Sequence, residues 1–258
     1  MLDAALRKRL RDIARGNAPS PPCTPPAEQL DEITPDDVTF EFDPHPVTND
    51  HGELALAETS AGALCGNSGE LASRFLLTGA ALGCDPCRAL VLDLETTGLS
   101  HVPMFLAGTL YVESDDLRIR QIFARTYAEE KALICELGKS FAECDLVITY
   151  NGNSFDLPYV RNRAAAHLLP VAIPERRLDV LHAARRAWRG RVPDCRLQTL
   201  ESCVCRRSRT GDIPGHLIPR TYHEYVRTGD IAPLLPVFQH NALDLLTTLE
   251  LLLQLFGR

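Results

Sequence analysis

Short runs of apolar residues, each ended by polar or turn-forming residues, mark the middle of the chain. They cover residues 88–99, 105–112 and 119–124, and an acidic turn at 113–116 lies between the second and third runs. Runs of this length, rich in branched apolar residues, are typical of strands. Because the connections are short, the pattern predicts three consecutive strands in an antiparallel meander.

Helices dominate the pattern after residue 126. The sequence predicts helices at 127–143, 154–168, 178–188, 196–205, 220–227 and 233–256, and one more strand at 145–150. Strands followed by alternating strands and helices indicate an α/β fold. We expect a mixed sheet flanked by helices, with a helical C-terminal part.

The first 87 residues differ in character from the rest. Residues 1–16 predict a short basic amphipathic helix, and residues 17–47 hold eight of the eighteen prolines, which predicts an extended linker. We expect residues 48–87 to form a small extension that packs on the core. Residues 88–258 then form the main domain.

Composition excludes two classes of protein. The chain has 258 residues, of which 45% are hydrophobic and 24% charged, so it can bury a sizeable core and is not disordered throughout. Its apolar runs are shorter than the ~18–20 residues that span a bilayer, and no apolar signal region follows the basic N-terminus. We therefore expect a cytoplasmic protein with no membrane partner.

Nine cysteines fit that location, because a reducing compartment keeps thiols free. A cysteine-ligated metal site stays open as an alternative, since Cys84 and Cys87 form one close pair and Cys203 and Cys205 another. A zinc ribbon repeats a two-residue gap in both pairs, whereas the second pair here has a gap of one. Free thiols are the preferred interpretation.

Charge is distributed unevenly along the chain. The formal net charge is −7, yet residues 176–209 contain ten arginines and three acids and so carry +7, which leaves −14 on the other 224 residues. Such a block predicts a phosphate-binding wall, and the alternative is a solvated helix face. We expect Arg185, Arg186 and Arg189 to contact substrate phosphates.

Two carboxylates stand at the end of the first predicted strand. Asp93 and Glu95 are two residues apart and therefore leave the same face of the strand. Burying them together is costly unless a cation neutralises them. The small residues Thr96, Thr97 and Gly98 follow as a tight turn that would let a terminal nucleotide approach closely.

Two more segments carry candidate chemistry. Asp156 follows the strand at 145–150, after Asn151 and Asn153, and opens a helix. His240 and Asp244 are one helical turn apart and share a helix face. Each segment also has a structural interpretation, since an acid at a helix N-terminus interacts favourably with the helix dipole and a His–Asp pair is common at surfaces.

Taken together, these segments supply four acids and one histidine. Carboxylate oxygens select hard divalent cations such as Mg²⁺ or Mn²⁺. Two such ions can hold the attacking and leaving oxygens of a phosphodiester while a histidine takes the proton of the water. Asp179 is a possible further acid, although a helix cap or an ion pair with Arg176 or Arg177 is the preferred interpretation.

Three segments carry a family resemblance. LDLETTGL, NGNSFD and HNALD resemble the exonuclease motifs of the DEDD (DnaQ-like) superfamily, which has a ribonuclease H-like fold. Within it, GDIPGHLIPRTYHEYVRTGD (211–230) and PVFQHNALDLL (236–246) resemble the YprB-type ribonuclease H-like family. The resemblance covers roughly residues 50–258. It implies a five-stranded mixed sheet, with three antiparallel strands followed by parallel ones.

The resemblance also implies a function. It implies a 3′→5′ exonuclease that uses two Mg²⁺ or Mn²⁺ ions and acts on DNA or RNA, at a single-stranded 3′ end. Asp93 would bridge both ions, Glu95 and Asp244 would hold one, Asp156 would hold the other, and His240 would be the general base. Asn151 and Asn153 would add to the substrate-binding residues.

Two features of this sequence differ from the superfamily pattern. Three residues separate His240 from Asp244, which is the spacing of the superfamily's tyrosine branch, and the segment Ser100–Met104 replaces a glycine-rich stretch. A catalytically weak nucleic-acid-binding or scaffold domain with the same fold is therefore the alternative function.

Overall fold

A computed structural model of the chain describes residues 31–33 and 42–256. The predicted helix 1–16 and most of the predicted linker 17–47 lie outside the described residues. Within the described part, the strands are β1 (Asp31–Ile33), β2 (His45–Asn49), β3 (Gly52–Ser60), β4 (Ala89–Thr96), β5 (Met104–Glu113), β6 (Asp116–Phe123), β7 (Leu146–Thr149), β8 (Arg176–Asp179) and β9 (Arg207–Arg209).

Helices surround these strands. They are α1 (Ser68–Leu76), α2 (Gly79–Leu82), α3 (Glu130–Glu143), α4 (Asp156–Ala166), α5 (Val180–Trp188), α6 (Leu197–Leu200), α7 (Ile218–Thr228) and α8 (Leu235–Phe256). A π-helical turn at Glu201–Cys205 extends α6. Among the described residues, no helix combines the length and apolar character that crossing a bilayer requires.

Seven strands form the central sheet, in the order β2-β3-β6-β5-β4-β7-β8. Along this order, each strand from β2 through β3, β6 and β5 to β4 pairs antiparallel with the next. β7 pairs parallel with β4, and β8 pairs parallel with β7. The predicted meander, the mixed sheet and the helical C-terminal part are confirmed. The predicted number of five strands is wrong.

The additional strands come from segments that lack a clear strand pattern. The β2–β3 hairpin begins in the last residues of the predicted linker 17–47 and continues into the segment 48–87 that we expected to form a small extension. Four consecutive β3 residues, Leu54–Ala57, are buried, so the alternation typical of strands is missing. β8 is only four residues long, and its last two residues fall within the helix 178–188 that the sequence predicts. The parallel pair β1–β9 also places Asp31–Ile33, part of the predicted linker, in regular structure.

The core lies on both faces of β4, because alternate residues point to opposite sides. Ala89 and Val91 pack in one apolar cluster with residues of α5 and α8. Leu90 and Leu92 pack in a second cluster with residues of α3 and α4 on the other side. Asp93 and Glu95 continue the first alternation and therefore leave β4 on the side that α8 covers.

Candidate active site

A side chain of helix α8 holds the carboxylate of Asp93. Asn241, fully buried on α8, donates from Nδ2 to Asp93 Oδ2 at 2.8 Å and to the Asp93 carbonyl oxygen at 3.2 Å. Its own Oδ1 accepts a hydrogen bond of 2.9 Å from Gln121 Nε2 on β6, which also donates to the Phe238 carbonyl at 2.8 Å. The hydrogen bonds from Gln121 to Asn241 and from Asn241 to Asp93 therefore link β6, α8 and β4 and fix the Asp93 carboxylate. Neither Asn241 nor Gln121 was identified as a site residue from the sequence.

Gly108 on β5 leaves the space that this contact needs. A Cβ at this position would lie only 2.0 Å from Asn241 Oδ1. Since β5 pairs with β4 so that Gly108 stands opposite Asp93, the glycine lets α8 approach the sheet at the level of the candidate site. A side chain here would displace the donor to Asp93.

Asp156 stands in the first turn of α4 and is 5% exposed. The loop before it is held by Asp179, whose carboxylate accepts hydrogen bonds from the backbone N–H groups of Asn151 at 2.9 Å and Asn153 at 3.2 Å. Asp179 also caps α5 through Leu181 N at 3.1 Å. The preferred interpretation of Asp179 as a cap is therefore confirmed, and the same carboxylate positions the loop that leads to Asp156.

The other alternative, an ion pair of Asp179 with Arg176 or Arg177, is not found among the described residues. Arg176 donates to the Leu82 carbonyl and Arg177 to the Pro174 carbonyl. The side chains of Asn151 and Asn153 are exposed at the same loop, where both remain candidates for contact with a substrate.

Electrostatics join the four acids into one site. Burial and the charges of Asp244, Glu95 and Asp156 raise the pKa of Asp93 well above its ordinary value. Burial and the charges of Asp244 and Asp156 raise the pKa of Glu95 well above its ordinary value. Burial raises the pKa of Asp156 to about 7. The charges of Asp244 and Asp156 thus oppose the ionisation of Asp93 and Glu95, and a positive counter-charge would relieve that repulsion.

Asp212 is an additional acid at the site. His240 Nδ1 lies 2.8 Å from Asp212 Oδ1, and His240 Nε2 lies 3.6 Å from Asp244 Oδ2. Burial lowers the pKa of His240, but the hydrogen bond to Asp212 and the charges of Asp244 and Asp212 outweigh it and raise that pKa. Because a carboxylate at Nδ1 fixes the ring, His240 presents Nε2 towards Asp244.

Arg209 brings a buried positive charge to the same end of α8. Its guanidinium lies 2.6 Å from Asp244 Oδ1, 3.3 Å from Asp212 Oδ2 and 2.7 Å from Glu201 Oε2. Arg207 similarly pairs with Glu201 at 2.8 Å and Glu250 at 2.8 Å. These two arginines therefore belong to a buried network, and including them in an exposed phosphate-binding wall was wrong.

The donor atoms of the cluster fit a hard divalent cation, since Asp93, Glu95, Asp156 and Asp244 offer only carboxylate oxygens. Asp244 faces Arg209, however, and within the described ranges no three His, Cys, Asp or Glu side chains form a closed metal-binding group. Cysteine does not supply one either: the eight cysteines that the structure describes are all free.

The turn after β4 is fixed by its own hydroxyl groups. Thr96 Oγ1 donates to the Gly98 carbonyl at 2.7 Å, and Thr97 Oγ1 donates to the Pro103 carbonyl at 2.9 Å. Tyr159 on α4 donates to the Val102 carbonyl at 2.7 Å. The segment that replaces a glycine-rich stretch is thus a braced loop beside the acids, and both threonine hydroxyls already have backbone partners.

The three arginines proposed to bind phosphate are exposed on α5 and just after it. Arg185 and Arg189 line a cavity of about 590 Å³ together with Arg196. Arg186 does not line it, and its Nε donates to the His182 carbonyl at 3.2 Å. The structure therefore separates Arg186 from the other two.

Comparisons with known proteins relate this chain to a superfamily. A model of the RNase_H superfamily matches residues 90–256, a range that begins in β4 and includes all four acids and His240. The "Uncharacterized protein YprB" of Bacillus subtilis (strain 168) is 29% identical over 215 residues, which cover 80% of this chain and 50% of that protein. The chain therefore spans about half the length of this curated relative.

A solved structure shows the same fold at lower identity. The family B DNA polymerase of the hyperthermophilic archaeon Pyrobaculum calidifontis matches 66% of this chain and 24% of its own with a TM-score of 0.51 and 18% sequence identity. At this identity the likeness concerns the fold alone. With the family model covering most of the chain, we conclude that the chain belongs to the RNase_H superfamily.

Proposed function

We propose that the chain is a divalent-metal-dependent 3′→5′ exonuclease of the DEDD type, close to the YprB-type family, that hydrolyses phosphodiester bonds of DNA or RNA. The observation that carries the proposal is the cluster of Asp93, Glu95, Asp156 and Asp244 at the end of β4, in which the charges of Asp244 and Asp156 help to raise the pKa of Asp93 and of Glu95. A superfamily of nucleases and a structure similar to a polymerase chain support it. The free thiols fit the reducing cytoplasm that we propose as its location.

The four acids would hold the cations, which we propose to be two Mg²⁺ or Mn²⁺ ions. Such ions polarise the phosphate and stabilise the charge that develops on its oxygens. The protein's part is positional: Asn241 fixes Asp93, and the braced loop around Thr96, Thr97 and Gly98 borders the space for the terminal nucleotide.

His240 is the proposed general base. Its Nδ1 is held by Asp212, so Nε2 is the nitrogen left to accept a proton from water. Arg209 fixes the far side of Asp244 and Asp212, which keeps the imidazole between the two carboxylates. These residues would align a water and take its proton.

A nuclease assay tests the proposal. The full chain is incubated with Mn²⁺ and single strands of DNA and RNA labelled at either the 3′ or the 5′ end. Release of mononucleotides from the 3′ label first, with a ladder of shortening products from the 5′ label, is the expected result. Asp93→Asn should abolish the reaction, and the exposed turn variant Asp115→Asn serves as a charge-matched control.

One contact favours a second candidate function. Because Arg209 already neutralises Asp244 at 2.6 Å, a domain that binds nucleic acid without cleaving it would have this arrangement as its resting state. Tight binding of single strands with no cleavage in Mg²⁺ or Mn²⁺ would favour that candidate over the exonuclease.

A further inference from the structure

We propose that the cavity at the C-terminal end of α5 binds the phosphate backbone of a single-stranded nucleic acid whose 3′ end lies at the acid cluster. Arg185, Arg189 and Arg196 line this cavity of about 590 Å³, together with the loop 190–195. This inference rests on the proposed function, since it assigns the path of the same substrate. It also differs from the expected phosphate contacts of Arg185, Arg186 and Arg189, because it includes Arg196 and leaves Arg186 out.

Helix geometry brings two of the guanidinium groups to one place. Arg185 and Arg189 are four residues apart, at the end of α5 and its C-cap, so they lie on the same face one turn apart. Gly190, with φ of 81°, reverses the chain after them, and the loop returns Arg196 to the same cavity. Three guanidinium groups thus line one concave surface that is contributed by a helix and a turn.

The positive charge at this surface is only partly compensated. Within the described residues, neither Arg185 nor Arg189 forms an ion pair, whereas Arg207 and Arg209 each pair with buried acids. Asp194 is the one acid in the lining, and it lies 3.8 Å from Arg196. The lining therefore carries a net positive charge, and guanidinium groups in this setting bind phosphate oxygens well.

The cavity lies on the same side of the sheet as the acids. Tyr150 directly follows β7, the strand that pairs parallel with β4 through Val91 and Ile148. Tyr150 packs in the same apolar cluster as Val91, and its hydroxyl donates to the Cys195 carbonyl in the cavity wall at 2.6 Å. One tyrosine side chain therefore connects the acid end of the sheet with the arginine cavity.

The lining favours a polymer backbone over a free nucleotide. Besides its three arginines, the cavity wall contains Gly190, Val192, Pro193, Asp194 and Cys195, and none of its described residues is aromatic. Base recognition usually needs an aromatic stacking surface, which is missing here. Contacts with phosphate alone are independent of base sequence and position a strand along its length.

The test measures binding under conditions in which no strand is hydrolysed. Full-length Asp93→Asn protein in EDTA is titrated into a fluorescent single-stranded oligonucleotide of DNA or RNA, and anisotropy gives Kd at several salt concentrations. Single variants Arg185→Ala and Arg189→Ala are compared with Arg186→Ala, which removes the same charge from the same helix outside the cavity. Melting curves confirm that all variants are folded.

The two cavity variants should each raise Kd by about tenfold at low salt. Each should also reduce the slope of log K against log salt by roughly 0.7, the value for one phosphate contact on a single strand, while Arg186→Ala leaves the slope unchanged. Equal effects of all three variants would mean that the arginines attract the strand through their general positive charge rather than through phosphate contacts in the cavity. That result would overturn the inference. Competition by micromolar mononucleotide would overturn the assignment to a polymer backbone.

Failure of the two proposals can be told apart. If the protein binds strands through Arg185 and Arg189 but never hydrolyses them, the cavity stands and the exonuclease proposal fails. If the protein hydrolyses strands with unchanged KM and salt dependence in both cavity variants, the exonuclease proposal stands and the cavity assignment is wrong.

Discussion

Gly108→Ala should disrupt the site and the core together, because the new methyl group would occupy the position of the Asn241 amide. The added Cβ would lie 2.0 Å from Asn241 Oδ1, whereas ordinary contacts begin near 3.4 Å, so the amide must retreat by about 1.4 Å. A hydrogen bond of 2.8 Å from Asn241 to Asp93 cannot survive such a shift.

The expected cost combines two effects. Overpacking a buried position costs roughly 1–3 kcal/mol, and a lost hydrogen bond inside the core adds about 1 kcal/mol. The free energy of unfolding should therefore fall by about 2–4 kcal/mol, which lowers Tm by roughly 4–16 °C for a protein of this size. Hydrolysis should fall further than stability accounts for, because Asp93 loses the donor that orients it.

A double-mutant cycle tests the reasoning by thermal and denaturant unfolding. Asn241→Ala removes the amide, so Gly108→Ala should cost at least about 1 kcal/mol less in that background, while hydrolysis stays low in both. Gly138→Ala on α3 is the matched control, since its Cβ would meet Val171 at an ordinary 3.4 Å. Additive effects in the cycle, or native hydrolysis by Gly108→Ala, would refute the proposed contact.

Four other substitutions test the site and its support. Asp93→Asn should abolish hydrolysis while Tm stays equal or rises, since one repelling charge is removed, and a lower Tm would contradict the repulsion. His240→Ala should lower kcat by roughly 10²–10⁴-fold with little change in KM, and a kcat within threefold of native would remove it as the base. Asp212→Asn should lower kcat and move the acidic limb of the pH–rate profile to lower pH, because Asp212 raises the pKa of His240; an unmoved limb would show that the pair is structural. Burial raises the pKa of Glu130, but the hydrogen bonds from Arg163 and His167 outweigh it and hold that pKa below 4.5. Glu130→Gln should therefore lower the free energy of unfolding by about 3 kcal/mol near neutral pH, and by progressively less when unfolding is measured below pH 4.5.

Local pattern was sufficient to predict part of the fold. β4, β5 and β6 are apolar runs separated by short turns, so their order and antiparallel pairing follow from the sequence alone. β3 was missed because both of its faces are covered, which removes alternation, and β8 because four residues carry too little pattern. The β2–β3 hairpin joins β6 only after a long connection, and no local signal indicates that pairing.

The same distinction applies to the candidate site. Asp93 and Glu95 are two residues apart on one strand, so their common face was predictable, and the structure places both beside Asp156 and Asp244. Asp212 and His240 are 28 residues apart, and only the folded chain brings them into contact. The prediction of an exposed phosphate-binding wall was wrong at Arg209, because composition cannot distinguish a buried guanidinium from an exposed one.

The β2–β3 hairpin decides where this sheet ends. β3 pairs with β6 along Ala55–Ser60, and without it β6 would present a long row of unpaired N–H and C=O groups to solvent. β2, the last strand on this side of the sheet among the described residues, is only five residues long and contains Pro46, two properties that discourage a second chain from adding a strand. A fragment begun at the first acidic motif would keep every proposed ligand and still tend to aggregate through β6.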